Sequence, residues 1–175
     1  MHAIALFLLA APSTLVLRDV DGRDHRVGAK ATVLLFLLPD CPIANYFTPE
    51  IERVRKDYAA KGVAFFVVHC DPDVTAAQAK KHARDYGLQC PVLLDPRHVL
   101  ANRAGASKAP EAAVLTPAGV AYRGRIDDSY LDFGKRREVP TRRDLRLALD
   151  AVLAGKKPSP STTPVIGCDL PEPTR

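Results

Sequence analysis

No C-x-x-C pair occurs among the four cysteines of this chain, Cys41, Cys70, Cys90 and Cys168. The spacing of a zinc site is therefore missing, and so is a dithiol closed within one helical turn. Tryptophan is absent, and aromatic residues make up only 6% of the sequence. With so few rings to stack on bases and no recognisable motif, the net charge of +5 does not point to nucleic acid. No run of 18 apolar residues exists, which excludes a transmembrane helical span. No internal repeat is visible.

What is present suits one domain. The 175 residues are 47% hydrophobic and 26% charged, enough for a real core. Much of the positive excess is local, at Lys135, Arg136, Arg137, Arg142, Arg143 and Arg146. That cluster reads as a solvated helix face beside a loop, with an acidic partner as the other reading. Met1 to Ala11 is almost wholly apolar. Ala3 to Leu9 followed by two alanines fits a signal-peptide core without its basic start, and a buried first strand is the alternative. Export to the periplasm is the expectation.

Leu15 to Arg18 and His25 to Val27 flank Asp21-Gly22, a hairpin signal. Ala31 to Leu38 is apolar without alternation, the pattern of a strand buried on both faces. A helical pattern to Ala60 follows, then a second buried strand from Val63 to His69. A helix over Thr75 to Tyr86, a short strand at Pro91 to Leu94 and a short helix near Leu100 to Arg103 come next. Ala112 to Thr116 and Val120 to Arg125 form a hairpin around Pro117-Ala118-Gly119, and Thr141 to Ala154 is a last helix. The remaining segment holds five prolines. Strand, helix and strand in succession give a parallel pair, so the class is α/β with a mixed central sheet and helices on both faces. Reactive groups in such sheets gather at the carboxyl ends of the parallel strands. Cys41, His69 with Cys70, Pro110 and the stretch from Arg125 to Asp128 converge there.

Cys41 follows a buried strand and precedes a helix whose first position suits Pro42. A thiolate there is stabilised by unpaired N–H groups and the helix dipole, while the adjacent Asp40 opposes ionisation. Cys41 is thus the expected reactive thiol, combining rim exposure with a helix N-terminus. Cys70 and Cys90 adjoin buried strands and read as packing residues. Cys168 lies in a short apolar island, Val165-Ile166-Gly167-Cys168, inside the proline-rich segment. A segment that folds over the rim would make Cys168 a resolving thiol; a flexible tail would make it incidental.

The run Asp40-Cys41-Pro42-Ile43-Ala44-Asn45-Tyr46-Phe47-Thr48-Pro49 resembles a thioredoxin active-site segment, with Pro49 as the helix-kinking proline and Tyr58 further along the same helix. Ala109-Pro110-Glu111 resembles the cis-proline loop of that fold. Across Val27 to Gly155 the chain resembles bacterial redoxin-domain proteins of the alkyl hydroperoxide reductase/thiol-specific antioxidant group. Tyr122 to Asp128 and Val165 to Cys168 resemble one uncharacterised branch of it. The sequence departs from the active-site patterns in two ways. Ala44 stands in the place of the second thioredoxin cysteine. Leu34, Leu38 and Pro110 stand where a peroxiredoxin carries proline, a hydroxyl residue and arginine. Arg123 or Arg125 is the nearest candidate to replace that arginine.

The resemblance implies a thioredoxin-like fold and a thiol oxidoreductase without a bound cofactor. Cys41 is the nucleophile, with Cys168 or an external thiol reductant resolving it. Its partners are a peroxide or a protein thiol or disulfide, with Pro110, Arg125 and Tyr46 as substrate-binding candidates. The alternatives are a Cu(I)-binding protein using Cys41, His69 and Cys168, since soft thiolates suit Cu(I), and an inactive interaction module. The expected organisation is a signal segment at 1–11, a redoxin domain at 12–155 and a tail at 156–175.

Overall fold

Seven consecutive buried residues, Ala31–Leu37, form the middle strand of the protein's main sheet in the computed structural model, which describes residues 16–27 and 30–174. The signal segment considered at residues 1–11 lies outside the described residues. In chain order the elements are β1 (Val16–Arg18), β2 (Asp24–Arg26), β3 (Ala31–Leu37), α1 (Pro42–Ala59), β4 (Val63–His69), α2 (Ala76–Asp85), β5 (Val92–Leu94) and α3 (Val99–Ala104). Then come β6 (Lys108–Ala109), β7 (Glu111–Thr116), β8 (Gly119–Gly124), β9 (Tyr130–Asp132), β10 (Lys135–Arg136), α4 (Asp144–Leu153) and β11 (Cys168–Asp169). The main sheet has the order β5-β4-β3-β7-β8, with β3, β4 and β5 parallel and β7 and β8 antiparallel to their neighbours.

The two-residue period of a strand divides the core. Val33, Leu35 and Leu37 join Ile43, Phe47 and Ile51 of α1 and Leu145 and Leu149 of α4 on one face. Leu34 and Phe36 join Phe66, Val68 and Leu93 with Leu100 and Ala104 of α3 on the other. A continuous apolar run is therefore what the middle strand requires. Each fully buried side chain of this size contributes roughly 1.5–3 kcal/mol relative to exposure.

Local chemistry explains the helix boundaries. Thr75 and Gln78 form a reciprocal capping box at the start of α2. The buried Asp95 carboxylate accepts from the backbone N–H groups of Val99, Leu100 and Ala101 and so starts α3. The last helix begins at Asp144, later than the Thr141 expected from sequence. Asp128 takes the N–H groups of Thr141 and Arg142, at 2.7 and 2.9 Å, and holds them outside the helix. Pro49 inside α1 has no N–H for the carbonyl of Asn45. The Thr48 hydroxyl donates to that carbonyl instead, at 2.9 Å, and the helix continues.

Sequence reading missed the small β9–β10 hairpin and the β6–β11 pair. The basic cluster is also more than a solvated face. Arg143 and Arg146 converge on the buried Glu50 of α1, Arg146 also reaches Asp57, and Arg142 pairs with Asp144.

The proline-rich segment lies along the domain. Arg123 N–H donates to Ser161 O, and Thr163 N–H donates to Arg123 O. Gly124 makes this approach possible: its φ is +147°, and an added Cβ would stand 2.8 Å from the Thr163 nitrogen. Gly124→Ala should therefore loosen the segment while the sheet survives. Hydrogen exchange is expected to accelerate at the amide of Thr163, with the amides of β3 unchanged.

Candidate functional site

The site begins with a turn. Beyond β3 the chain bends through Pro39 and Asp40, closed by a hydrogen bond from Cys41 N–H to Leu38 O at 3.1 Å. Cys41 is the N-cap of α1, and Pro42 takes the opening helical position, where its missing N–H costs nothing. No acidic residue lies in the first turn to oppose a thiolate. Asn45 braces the turn, donating from Nδ2 to Pro39 O at 2.7 Å, and its Oδ1 meets His82 Nε2 of α2 at 2.8 Å.

Facing this turn is the loop before β7. The Ala109–Pro110 peptide bond is cis, and Cys41 Sγ lies 3.4 Å from the Ala109 carbonyl oxygen. The loop is fixed from behind by Glu111, whose residue is only 3% exposed. One carboxylate oxygen accepts from Ser107 N–H and Lys108 N–H at 2.9 and 3.1 Å. The other lies 3.4 Å from Arg123, whose guanidinium also donates to Gly105 O. The second cis bond, Ser159–Pro160, stands in the proline-rich segment.

That segment completes the site. Val165 and Ile166 are half-buried and line a small crevice with Phe47, Pro110, Arg125 and Tyr130. Gly167 is buried against Ala109, and Cys168 and Asp169 then pair antiparallel with Ala109 and Lys108. Leu170 N–H donates to Ser107 O at 3.0 Å. At this position Cys168 is joined to Cys41 by a disulfide across 127 residues, with Cα atoms 6.2 Å apart. That spacing lies within the usual range for a bridge.

The other sequence candidates take definite places. Cys41 is 2% exposed rather than open at the rim, because the segment around Cys168 covers it in the disulfide form. Tyr46 packs edge-on against Phe47 and Tyr130 and lies under Arg136, so its ring anchors the β9–β10 hairpin to α1. Arg125 donates from Nε to Asp144 at 2.7 Å while lining the crevice beside Pro110. Arg123 is taken up by Glu111 and Gly105.

His69 is fully buried, with Nδ1 2.9 Å from Leu37 O and its ring against His82. Of the alternative copper grouping of Cys41, His69 and Cys168, the two sulfurs are bonded to each other in this structure. Among the described residues, no three His, Cys, Asp or Glu side chains are gathered to hold a metal ion. Cys70 and Cys90 are buried free thiols; burial pushes Cys70 up to about 12 and raises Cys90 as well. Neither supplies thiolate near neutral pH. Sequence reading missed Glu111, Gly124 and Gly167. A glutamate directly after the proline and a glycine directly before Cys168 were their only signals.

Residues 10–126 match the sequence profile of the AhpC/TSA family. An uncharacterized conserved protein from Geobacillus kaustophilus is similar in structure, with 27% identity and a TM-score of 0.77 over 95% of this chain and 93% of that one. A hypothetical protein from Sinorhizobium meliloti 1021 is similar at 26% identity and a TM-score of 0.77, covering 94% of this chain and 93% of its own. A secreted Mycobacterium tuberculosis disulfide oxidoreductase shares the fold at 17% identity and a TM-score of 0.54, over 81% of this chain and 96% of that one. No curated protein matches the chain in sequence.

Removing the Glu111 carboxylate takes the partner from two part-buried N–H groups, those of Ser107 and Lys108. Glu111→Ala should lower stability by roughly 1–3 kcal/mol, read from the urea midpoint.

Burial also pushes His69 down to about 4, from its ordinary value of 6.5. The unfolded chain therefore binds that proton first as pH falls. The His69 contribution to stability is full above about pH 6.5 and is lost progressively towards pH 4. Urea midpoints measured across this window should fall for the native chain, and less steeply for His69→Asn.

Proposed function

The chain belongs to the AhpC/TSA family, and from that premise we infer that it is a thiol–disulfide oxidoreductase using Cys41 as nucleophile and Cys168 as resolving thiol. The observation that carries this reading is the Cys41–Cys168 disulfide, set between a helix N-terminus and a cis-proline loop. In the reduced protein the Cys41 thiolate attacks one sulfur of a substrate disulfide. A mixed disulfide forms, and the other substrate sulfur leaves as a thiolate. Cys168 thiolate then attacks the Cys41 sulfur, releasing the second substrate thiolate and closing the intramolecular bridge. Two electrons have passed to the substrate. An external dithiol restores the protein by the reverse exchange.

Exchange is favoured over peroxide reduction by what surrounds the sulfur. Leu38 is a buried apolar residue where a hydroxyl donor would polarise a peroxide, and Arg123 and Arg125 are committed to Glu111 and Asp144. Electrostatic preorganisation is usually the largest single contribution to such catalysis. An exported chain suits the reading, because disulfides persist in oxidising compartments. The structural neighbour described as a secreted disulfide oxidoreductase points the same way.

The test is stoichiometric. Mixed with 5,5′-dithiobis(2-nitrobenzoic acid), the reduced native protein should rapidly release two equivalents of coloured thiolate. Cys168→Ser should release one and retain the aryl group on Cys41. Cys41→Ser should lose the rapid phase. Hydrogen peroxide should be consumed no more than about tenfold faster than by a free thiol, since the peroxide-polarising groups are elsewhere. Fast labelling of Cys70 or Cys90, or fast Cys41-dependent peroxide turnover, overturns the reading.

A further inference from the structure

We propose, resting on the exchange reading, that the groove along Lys108–Ala109 selects partner polypeptides with a glycine directly before the reacting cysteine. The chain's own Gly167–Cys168 is the resident example of that ligand.

The segment around Cys168 sits as an added strand. Cys168 pairs with Ala109, Asp169 with Lys108, and Leu170 N–H donates to Ser107 O. Backbone pairing of this kind anchors any extended polypeptide and carries no sequence information. Selection must arise where side chains would meet the groove. Gly167 is the tightest such point. A Cβ built there would stand 2.8 Å from the Ala109 carbonyl carbon, closer still to its oxygen, and 3.2 Å from Pro110 Cδ. These are main-chain and prolyl-ring atoms, which cannot swing aside like the end of a long side chain. They belong to the loop that Glu111 holds from behind. Gly167 does not have a positive φ, so glycine is needed for space and not for backbone conformation.

The flanking positions extend the rule. The two residues before the glycine, Val165 and Ile166, lie in the crevice beside Phe47, Pro110 and Tyr130, which favours apolar side chains there. The residue after the cysteine faces Lys108, but Asp169 is 83% exposed, so charge at that place discriminates weakly. The ligand class is therefore an extended segment reading apolar, apolar, glycine, cysteine, with the cysteine in a disulfide.

When such a segment lies in the groove, Cys41 thiolate attacks its cysteine sulfur, and the sulfur formerly bonded to it departs with the electron pair. The segment around Cys168 then returns to the same groove. Its thiolate attacks the Cys41 sulfur and expels the partner's cysteine as a thiolate.

The test uses the full chain carrying Gly167→Ala and Cys168→Ser, which clears the resident segment and leaves Cys41 as the site's sole cysteine. Two hexapeptides, Val-Ile-Gly-Cys-Asp-Leu and Val-Ile-Ala-Cys-Asp-Leu, are each supplied as the mixed disulfide with 2-nitro-5-thiobenzoate. Release of the coloured thiolate gives the rate. The glycine peptide should react at least about tenfold faster, since overpacking against fixed atoms carries a penalty of that order. Free N-acetylcysteine should react equally with both peptides. Cys168→Ser alone serves as a second protein: its resident segment slows both peptides, but their ratio should persist.

Equal rates for the two peptides overturn the glycine rule, and leave Cys41 a nucleophile if it still reacts with the small aryl disulfide. Failure with that reagent as well overturns the exchange reading and this proposal together. If the reduced native protein elutes as a dimer held by exchanged C-terminal segments, the groove serves a second copy of the chain and the proposal falls.

Discussion

The Glu111 carboxylate accepts hydrogen bonds from the N–H groups of Ser107 and Lys108, and the rim of the sheet takes its shape from that contact. Those two N–H groups, part-buried at the end of the loop, would otherwise lose their carboxylate partner. With the donors satisfied, Lys108 and Ala109 are presented as a short strand edge, and Pro110 is held opposite Cys41. Arg123 reaches the same carboxylate and the carbonyl of Gly105, so β8 also braces the loop. A buried charge removed from one of its partners is costly, which makes this arrangement an all-or-nothing support.

Against that rigid floor, the C-terminal segment is accommodated by side chains that are missing. Gly124 admits Thr163, and Gly167 sits against Ala109. The segment brings few apolar groups of its own, and Val165 and Ile166 are only half-buried. Each therefore contributes less than the roughly 1.5–3 kcal/mol of full burial, set against about 1–2 kcal/mol of backbone entropy for every residue ordered. The sulfur–sulfur bond adds a covalent tie to the backbone hydrogen bonds at Arg123 and Ser107 that hold the segment in place. In the disulfide form the docked segment leaves Cys41 only 2% exposed.

The parts of this architecture that were legible in the sequence are those decided by neighbours along the chain. The unbroken apolar run at 31–37 can only be a strand buried on both faces, and a cysteine between that run and a helix falls at the sheet's reactive edge. The parts that were not legible depend on residues far apart. Whether Cys168 reaches Cys41 turns on contacts at Gly124 and Ala109, none of them adjacent to Cys168. Arg143 and Arg146 read locally as solvated charge, yet Glu50, some ninety positions earlier, gathers them. Asp128 delays the last helix by capturing N–H groups that a periodicity argument assigns to it. In the last two cases a polar side chain distant in sequence overrides a local preference.

Because the bridge joins residues 127 positions apart, oxidation turns most of this linear polymer into a macrocycle. All four helices, and every strand from β4 to β10, lie inside the ring; β1, β2 and β3 hang outside it as a free arm. In the chain-entropy description, closing a ring of about 100 residues removes several kcal/mol of disorder from the denatured ensemble. An oxidised molecule that unfolds keeps its first helix tethered to its last segment, so it searches a smaller space on the way back. The redox state therefore also sets the topology of the chain, and with it how far the molecule can wander when it comes apart.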